Sequence, residues 1–203
     1  MIENISDVTP VTADLVLICI DVQQDFAPAR GGDGGAAPQI TALRALIDTA
    51  REHRVPVVFI RELHHPTHTD LGREVDGVED LHTVEGTPGA DYVPGFGPLP
   101  TEYEVRKRRY SAFFGTDLDI ILRGYQARTL ILTGGLTDVC VHYTAVDAHQ
   151  HDYHFRVVED AVYGSSVPAH AAALEAMAYL QRDGVISAGE AADLLMKGEL
   201  PTR

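Results

Sequence analysis

Three residues of this 203-residue chain carry groups that can together hydrolyse an acyl bond. Cys140 lies in GGLTDVCVHY, just after a glycine-rich turn and just before a helical pattern, Asp21 ends the apolar run DLVLICID, and Lys107 ends YEVRK. A thiolate attacks a carbonyl carbon. A nearby carboxylate takes the thiol proton and later returns it to a leaving amine. An ammonium holds that carboxylate and offsets negative charge. Backbone N–H groups of the Gly135–Leu136 turn and of Cys140 can receive the oxyanion of a tetrahedral intermediate, and the glycines let the main chain come that close. Plainer readings exist for each: a loop cap for Asp21, an exposed edge lysine for Lys107, core filler for Cys140. Cys140 falls in the first turn of the expected helix, where free N–H groups and the macrodipole favour a thiolate.

These groups can meet only if the fold brings strand ends to one edge. DLVLICID (14–21) reads as a buried strand, ITALRALIDTAREHR (40–54) has apolar residues at helical spacing, VPVVFIRE (55–62) is a second strand and YEVRK (103–107) a shorter third. Thr116 is placed to cap a helix from Asp117 to about Arg123, with Gly124 to end it. TLILTG (129–134) reads as a strand, 139–151 as a helix and FRVVED (155–160) as a strand. Ser166 and Pro168 open an alanine-rich helix through Leu180. GVIS is a last strand, and Ser187 with Glu190 forms a capping box for a C-terminal helix. Continuous apolar strands alternating with helices specify a parallel sheet covered on both faces, with right-handed crossovers. The expected fold is α/β: a three-layer α/β/α, doubly wound, mostly parallel six-stranded sheet, in one domain over residues 1–203. Ligands bind such sheets at the carboxyl ends of the strands, near the switch in strand order. Asp21, Lys107 and Cys140 all fall at that edge.

Two segments break the alternation. Residues 63–100, rich in Gly, Pro and His, show no periodicity and read as a long functional loop. GGDGG (31–35) matches neither a P-loop nor a dinucleotide fingerprint and reads as a mobile lid. Apolar residues make up 45% of the chain and charged residues 23%, the balance of a folded globular protein. A formal net charge of -14 repels phosphate backbones, so no nucleic-acid partner is expected; RKRR (106–109) is a short run against a strand. No apolar run approaches the ~20 residues of a membrane span, and MIENISDVTP lacks the pattern of a secretory signal. A cytoplasmic address without a membrane partner is expected. Two cysteines make no disulfide framework, and Cys19, inside LVLICID, reads as a small buried hydrophobe.

At LICIDVQQDF, KRRYSAFFGTDLDIILR, LILTGGLTDVCVHYTAVDAHQ and VVEDAVYGSS the chain resembles the isochorismatase-like cysteine hydrolase superfamily, with the motifs in the family's order and spacing. The resemblance implies Asp21 as acid/base, Lys107 as its charged partner and Cys140 as nucleophile. It also implies a non-proline cis peptide before Leu136, which turns the Leu136 and Cys140 N–H groups into the oxyanion hole. The family includes nicotinamidases, ureido- and carbamoyl-amide hydrolases, and isochorismatases that lack the cysteine. Cys140 therefore points to cleavage of an amide, ureido or cyclic amide C–N bond through a thioester, with release of ammonia or an amine. The alternatives are an isochorismatase-type vinyl-ether hydrolase, in which Asp21 donates the proton, and a small-molecule-binding relative without turnover. Relatives commonly assemble, so a homo-oligomer is expected.

Nicotinamidases carry a carboxylate-x-His pair after the second strand and a later histidine as metal ligands; the corresponding positions here are Glu62, His64 and His82, with Glu in place of Asp. No cofactor is required by the thiol chemistry, and this set is open to two readings: a divalent metal such as zinc held by two nitrogens and one oxygen, or solvated loop side chains. His65 and His68 read as loop surface, and His149, His151 and His154, which share no helix face, as surface. Gln23, Phe26 and Tyr143 are candidates for the substrate-lining wall, and Phe113 for packing beside it.

Overall fold

The computed structural model describes residues 11–27 and 38–198; the GGDGG segment lies outside them. Strand β1 (Leu15–Ile20) is followed by helix α1 (Pro38–Glu52), β2 (Val57–Glu62), β3 (Tyr103–Lys107), α2 (Leu118–Tyr125), β4 (Thr129–Gly135), α3 (His142–Gln150), β5 (His154–Tyr163), α4 (Val167–Leu180), β6 (Val185–Ile186) and α5 (Ala188–Lys197). The six strands form one sheet in the order β3-β2-β1-β4-β5-β6, and every pairing is parallel.

Alternation along β1 shows why the strand reads as a continuous apolar run. Val16, Ile18 and Ile20 face one apolar layer, with Leu118 and Leu122 of α2, Ala145 of α3 and Met177 of α4. Leu15, Leu17 and Cys19 face the other, with Leu43 and Ile47 of α1 and Leu195 of α5. Both faces are dry, so no position along the strand is polar. Burying each such side chain contributes roughly 1.5–3 kcal/mol. Cys19 is one of them, and burial pushes its thiol up to about 12.

Local chemistry sets the helix ends. Ser166 Oγ accepts from Ala169 N at the start of α4, and Ser187 and Glu190 complete the capping box of α5, which Gly198 closes in the left-handed region. The α2 expectation needs correction. The helix runs through Gly124 to Tyr125, and Gln126 at φ 62 takes the closing conformation. Thr116 sits one residue before the N-cap Asp117, where its Oγ1 accepts from Leu118 N at 3.2 Å. The helix expected over 139–151 is also modified. Residues Thr137–Val141 form a π-turn, closed by Val141 N donating to Leu136 O at 3.1 Å, before α3 begins. The 63–100 segment is built rather than loose. It holds short 3₁₀ turns at Glu74–Asp76 and Pro88–Ala90. Bridges join His64 to Val84 and Gln23 to Tyr92. Among the described residues, no helix is long and apolar enough to cross a membrane.

The strand order places the reversal between β1 and β4, with α1 leaving on one face and α3 on the other. A crevice opens at the carboxyl ends of these two strands. Main chain from β4 fits it only as glycine. Gly134 has φ +99, and a Cβ there would lie 2.0 Å from Ile20 O; a Cβ on Gly135 would lie 2.1 Å from the Tyr163 ring.

Gly134→Ala combines an unfavourable φ with a backbone collision and is expected to cost about 1–3 kcal/mol or more. Ser187→Ala removes only a cap, at about 1 kcal/mol. Urea denaturation of the two variants should rank them in that order; the reverse ranking would contradict the close β1–β4 approach.

Candidate active site

Each strand end delivers one side chain to the crevice. Asp21 follows β1 with φ 47, a conformation that few non-glycine residues adopt and that here turns the carboxylate inward. Its N–H donates to Ile60 O at 3.1 Å, and its Oδ1 accepts from Glu62 N at 3.0 Å. Lys107 ends the edge strand β3, yet it is fully buried. Its Nζ lies 2.8 Å from Asp21 Oδ2 and 3.4 Å from Cys140 Sγ, and it also donates to Glu62 Oε2. The Asp21 contact has the distance of an ion pair but not hydrogen-bond alignment. Cys140 sits in the π-turn, 3% exposed, after the Gly135–Leu136 peptide, which is cis. The three expected residues thus converge beside this peptide.

The electrostatics correct one expectation. The thiol is not poised as a thiolate by a helix end. Burial pushes it well above its ordinary value, against the opposing pull of Lys107. Burial likewise raises Asp21 to about 7, again against Lys107. Burial disfavours the charged form of Lys107, but Asp21, Cys140 and Glu62 around it hold the ammonium charged well above its usual range. Both shifts favour a proton on sulfur beside a carboxylate that can take it.

Glu62, His64 and His82 also meet, joined by Glu74, which the sequence did not single out; all four are buried, with ligand atoms within 4.8 Å of one another. His82 Nε2 lies 2.9 Å from Glu62 Oε1 and 3.7 Å from Glu74 Oε2. His64 Nε2 lies 3.4 Å from Glu74 Oε2 and 3.7 Å from Glu62 Oε1. Burial opposes charge on both imidazoles, but the two carboxylates push His64 up to about 9 and His82 up to about 10. Burial also opposes ionisation of Glu62, yet Lys107 and the histidines hold its carboxyl well below the ordinary range.

The donor set fits a divalent metal by its own chemistry. Both ring nitrogens of His64, His82 Nε2 and both Glu74 oxygens are buried without hydrogen-bond partners. Such orphaned atoms are costly in a folded protein. His82 Nδ1 lies 2.7 Å from Asp80 O. A carbonyl only accepts, so Nδ1 carries a proton, and Nε2 is the nitrogen that would give up its own proton to present a lone pair to a cation in the cluster. Nitrogen and carboxylate ligands at this spacing suit zinc or a similar ion.

The remaining candidates separate. Gln23 is fully buried, and its amide is committed to main chain. Nε2 donates to Glu62 O at 2.8 Å and to Ala90 O at 3.0 Å, and Oε1 accepts from Glu62 N at 2.9 Å. It braces the end of β2 against the 88–90 turn, which corrects its expected place on the substrate wall. The Phe26 ring lies 5.5 Å from that of His82, beside the cluster. Tyr143 is half exposed and stacks on Tyr110 at 5.7 Å. Phe113 stacks on His151 at 5.1 Å and Tyr153 at 6.0 Å, a packing role. His65, His68, His149, His151 and His154 are exposed. No spacing rule finds Glu74: it lies in GREVDGVED among acids that all read as solvated, and only the loop's path buries it.

Three comparisons bear on this arrangement. Residues 15–190 match the family model described as the Isochorismatase domain. The chain is 34% identical over 171 residues to the uncharacterized isochorismatase family protein PncA of Bacillus subtilis (strain 168), covering 78% of this chain and 91% of that one. It is 28% identical over 178 residues to the ureidoacrylate amidohydrolase RutB of Methylorubrum extorquens, covering 76% and 71%. Its fold superposes on the pyrazinamidase/nicotinamidase of Streptococcus mutans UA159 with a TM-score of 0.72 at 31% identity, over 85% of this chain and 99% of that one. With a doubly wound sheet whose switch point gathers a thiol, a carboxylate and an ammonium, and a domain match over nearly its whole length, the chain belongs to the isochorismatase family of hydrolases.

Proposed function

We propose that this enzyme cleaves a non-peptide C–N bond of a small amide, ureido or cyclic amide compound through a thioester on Cys140. The observation that carries the reading is the contact of Lys107 Nζ with both Asp21 Oδ2, at 2.8 Å, and Cys140 Sγ, at 3.4 Å. Relatives named as amidohydrolases and a nicotinamidase support it.

In this reading each residue has a step. Asp21 accepts the thiol proton as sulfur bonds to the acyl carbon, and Lys107 keeps the growing negative charge paired. The main-chain N–H groups of Leu136 and Cys140 receive the oxyanion. Collapse breaks the C–N bond, and Asp21 returns its proton to nitrogen, which leaves as ammonia or an amine. Asp21 then takes a proton from water as the water oxygen attacks the thioester carbon. The second collapse breaks the C–S bond and releases the acid, and Asp21 returns its proton to the leaving sulfur, which restores the thiol and the carboxylate. Low dielectric around the buried trio strengthens every one of these interactions.

Glu62, His64, Glu74 and His82 are the residues that would hold a divalent metal. When bound, such an ion supplies a fixed positive charge and open coordination positions to orient a substrate or water beside the thiol.

Cys140→Ala should lower ammonia release from a panel of primary amides and ureido compounds by more than about 10³-fold without loss of the folded circular-dichroism spectrum. Turnover near wild type would reject the nucleophile.

Asp21 must be ionised to accept the proton, and burial raises it to about 7. Below that pH it is protonated and the reaction stalls, so log kcat/KM should rise with unit slope up to about pH 7 and then level. A pH–rate profile that stays flat down to the ordinary carboxylate range would remove Asp21 from this role.

A further inference from the structure

Glu62 belongs to two sites at once. Its Oε1 faces the metal-ligand cluster, 2.9 Å from His82 Nε2 and 3.7 Å from His64 Nε2. Its Oε2 contacts Lys107 Nζ and lies 3.9 Å from Cys140 Sγ. The residue is 1% exposed. Its main chain is pinned, with the N–H held by Asp21 Oδ1 and Gln23 Oε1 and the carbonyl by Gln23 Nε2. With the backbone fixed and no solvent to screen it, one carboxylate must divide a single charge between two cationic claims.

We infer that Glu62 is an energetic link between the metal-ligand cluster and the Asp21–Lys107–Cys140 group: the Lys107 ammonium and a cation held by His64, Glu74 and His82 compete for the same carboxylate. The inference rests on the cluster's reading as a metal site, not on the thioester chemistry. Its consequence is reciprocal. Whatever weakens the Lys107–Glu62 contact tightens cation binding, and a bound cation loosens the hold of Glu62 on Lys107 by the same factor. The two Glu62 oxygens reach from the end of β2 to both partners, and an aspartate, one methylene shorter, is expected to stop short of one of them.

The test is a double-mutant cycle on zinc affinity, measured by competition with a chromophoric chelator. All proteins carry Cys140→Ser, so that no thiolate competes for the ion, and titrations extend to millimolar zinc so that weak sites are still measured. Lys107→Met should tighten zinc binding about tenfold, within the 5- to 150-fold span of ordinary couplings. The same change in the Glu62→Asp background should alter it less than twofold. Lys107→Gln, a polar and neutral replacement, should reproduce the tightening and stands in if Lys107→Met does not fold. Equal tightening in both backgrounds would mean a general field effect rather than a shared carboxylate and would overturn the inference, as would no tightening in either. A Cys140→Ser parent that binds no zinc up to millimolar concentration would overturn the cluster and this inference with it, while the Cys140→Ala assay would still decide the hydrolase reading.

Discussion

A lysine ammonium with no exposure to solvent is the constraint around which this site is organised. Such a charge persists in a protein interior only when anionic partners enclose it. Lys107 has Asp21 and Glu62 against it and the Cys140 sulfur at 3.4 Å. The three partners come from the ends of β1 and β2 and from the turn after β4, so the ion cluster ties together four consecutive places along the sheet's carboxyl edge. Removing Lys107 or either carboxylate leaves the others with unmatched charge, and the arrangement behaves as a unit rather than as separate contacts.

This packing also explains the resting protonation state. Burial pushes both the thiol and the Asp21 carboxyl upward, and Lys107 pulls both down. The outcome is a protonated sulfur beside a carboxylate whose affinity for a proton lies near neutrality, a match suited to passing one proton back and forth. A helix-end thiolate would need no base. Here the base is part of the design, and Glu62, held well below the ordinary carboxylate range, keeps Lys107 charged while Asp21 changes state.

The long 63–100 segment becomes intelligible in the same terms. It supplies His64, Glu74 and His82, is folded on itself by the bridge between His64 and Val84, and is held at its base by Asp25 Oδ2, which accepts from Thr83 N at 2.8 Å. Gln23, Asp25 and Asp21 all leave the same short stretch after β1. That stretch therefore fixes the proton carrier and the loop that completes the metal-ligand cluster.

Much of this was legible in the residues. Period-2 burial on both faces forces strands such as LVLICI to be apolar throughout, so the parallel sheet and its helices could be read directly; Ser166 and Ser187 announced their helices by short-range capping chemistry. Asp21, Lys107 and Cys140 could be read because strand ends share an edge whatever the exact register. Other features depended on contacts distant in sequence. Gly124 continues a helix because Gln126 adopts the left-handed turn instead, Gln23 faces main chain rather than ligand, and Glu74 enters a buried cluster through the path of a loop without periodicity. Local propensity and alternation act within a few residues, and they fixed the elements and the edge that carries the chemistry. Burial, charge pairing and the double reach of Glu62 arise between residues far apart in the chain, such as Glu62 with His82, Glu62 with Lys107 and Asp21 with Lys107, and only the packed chain decides them.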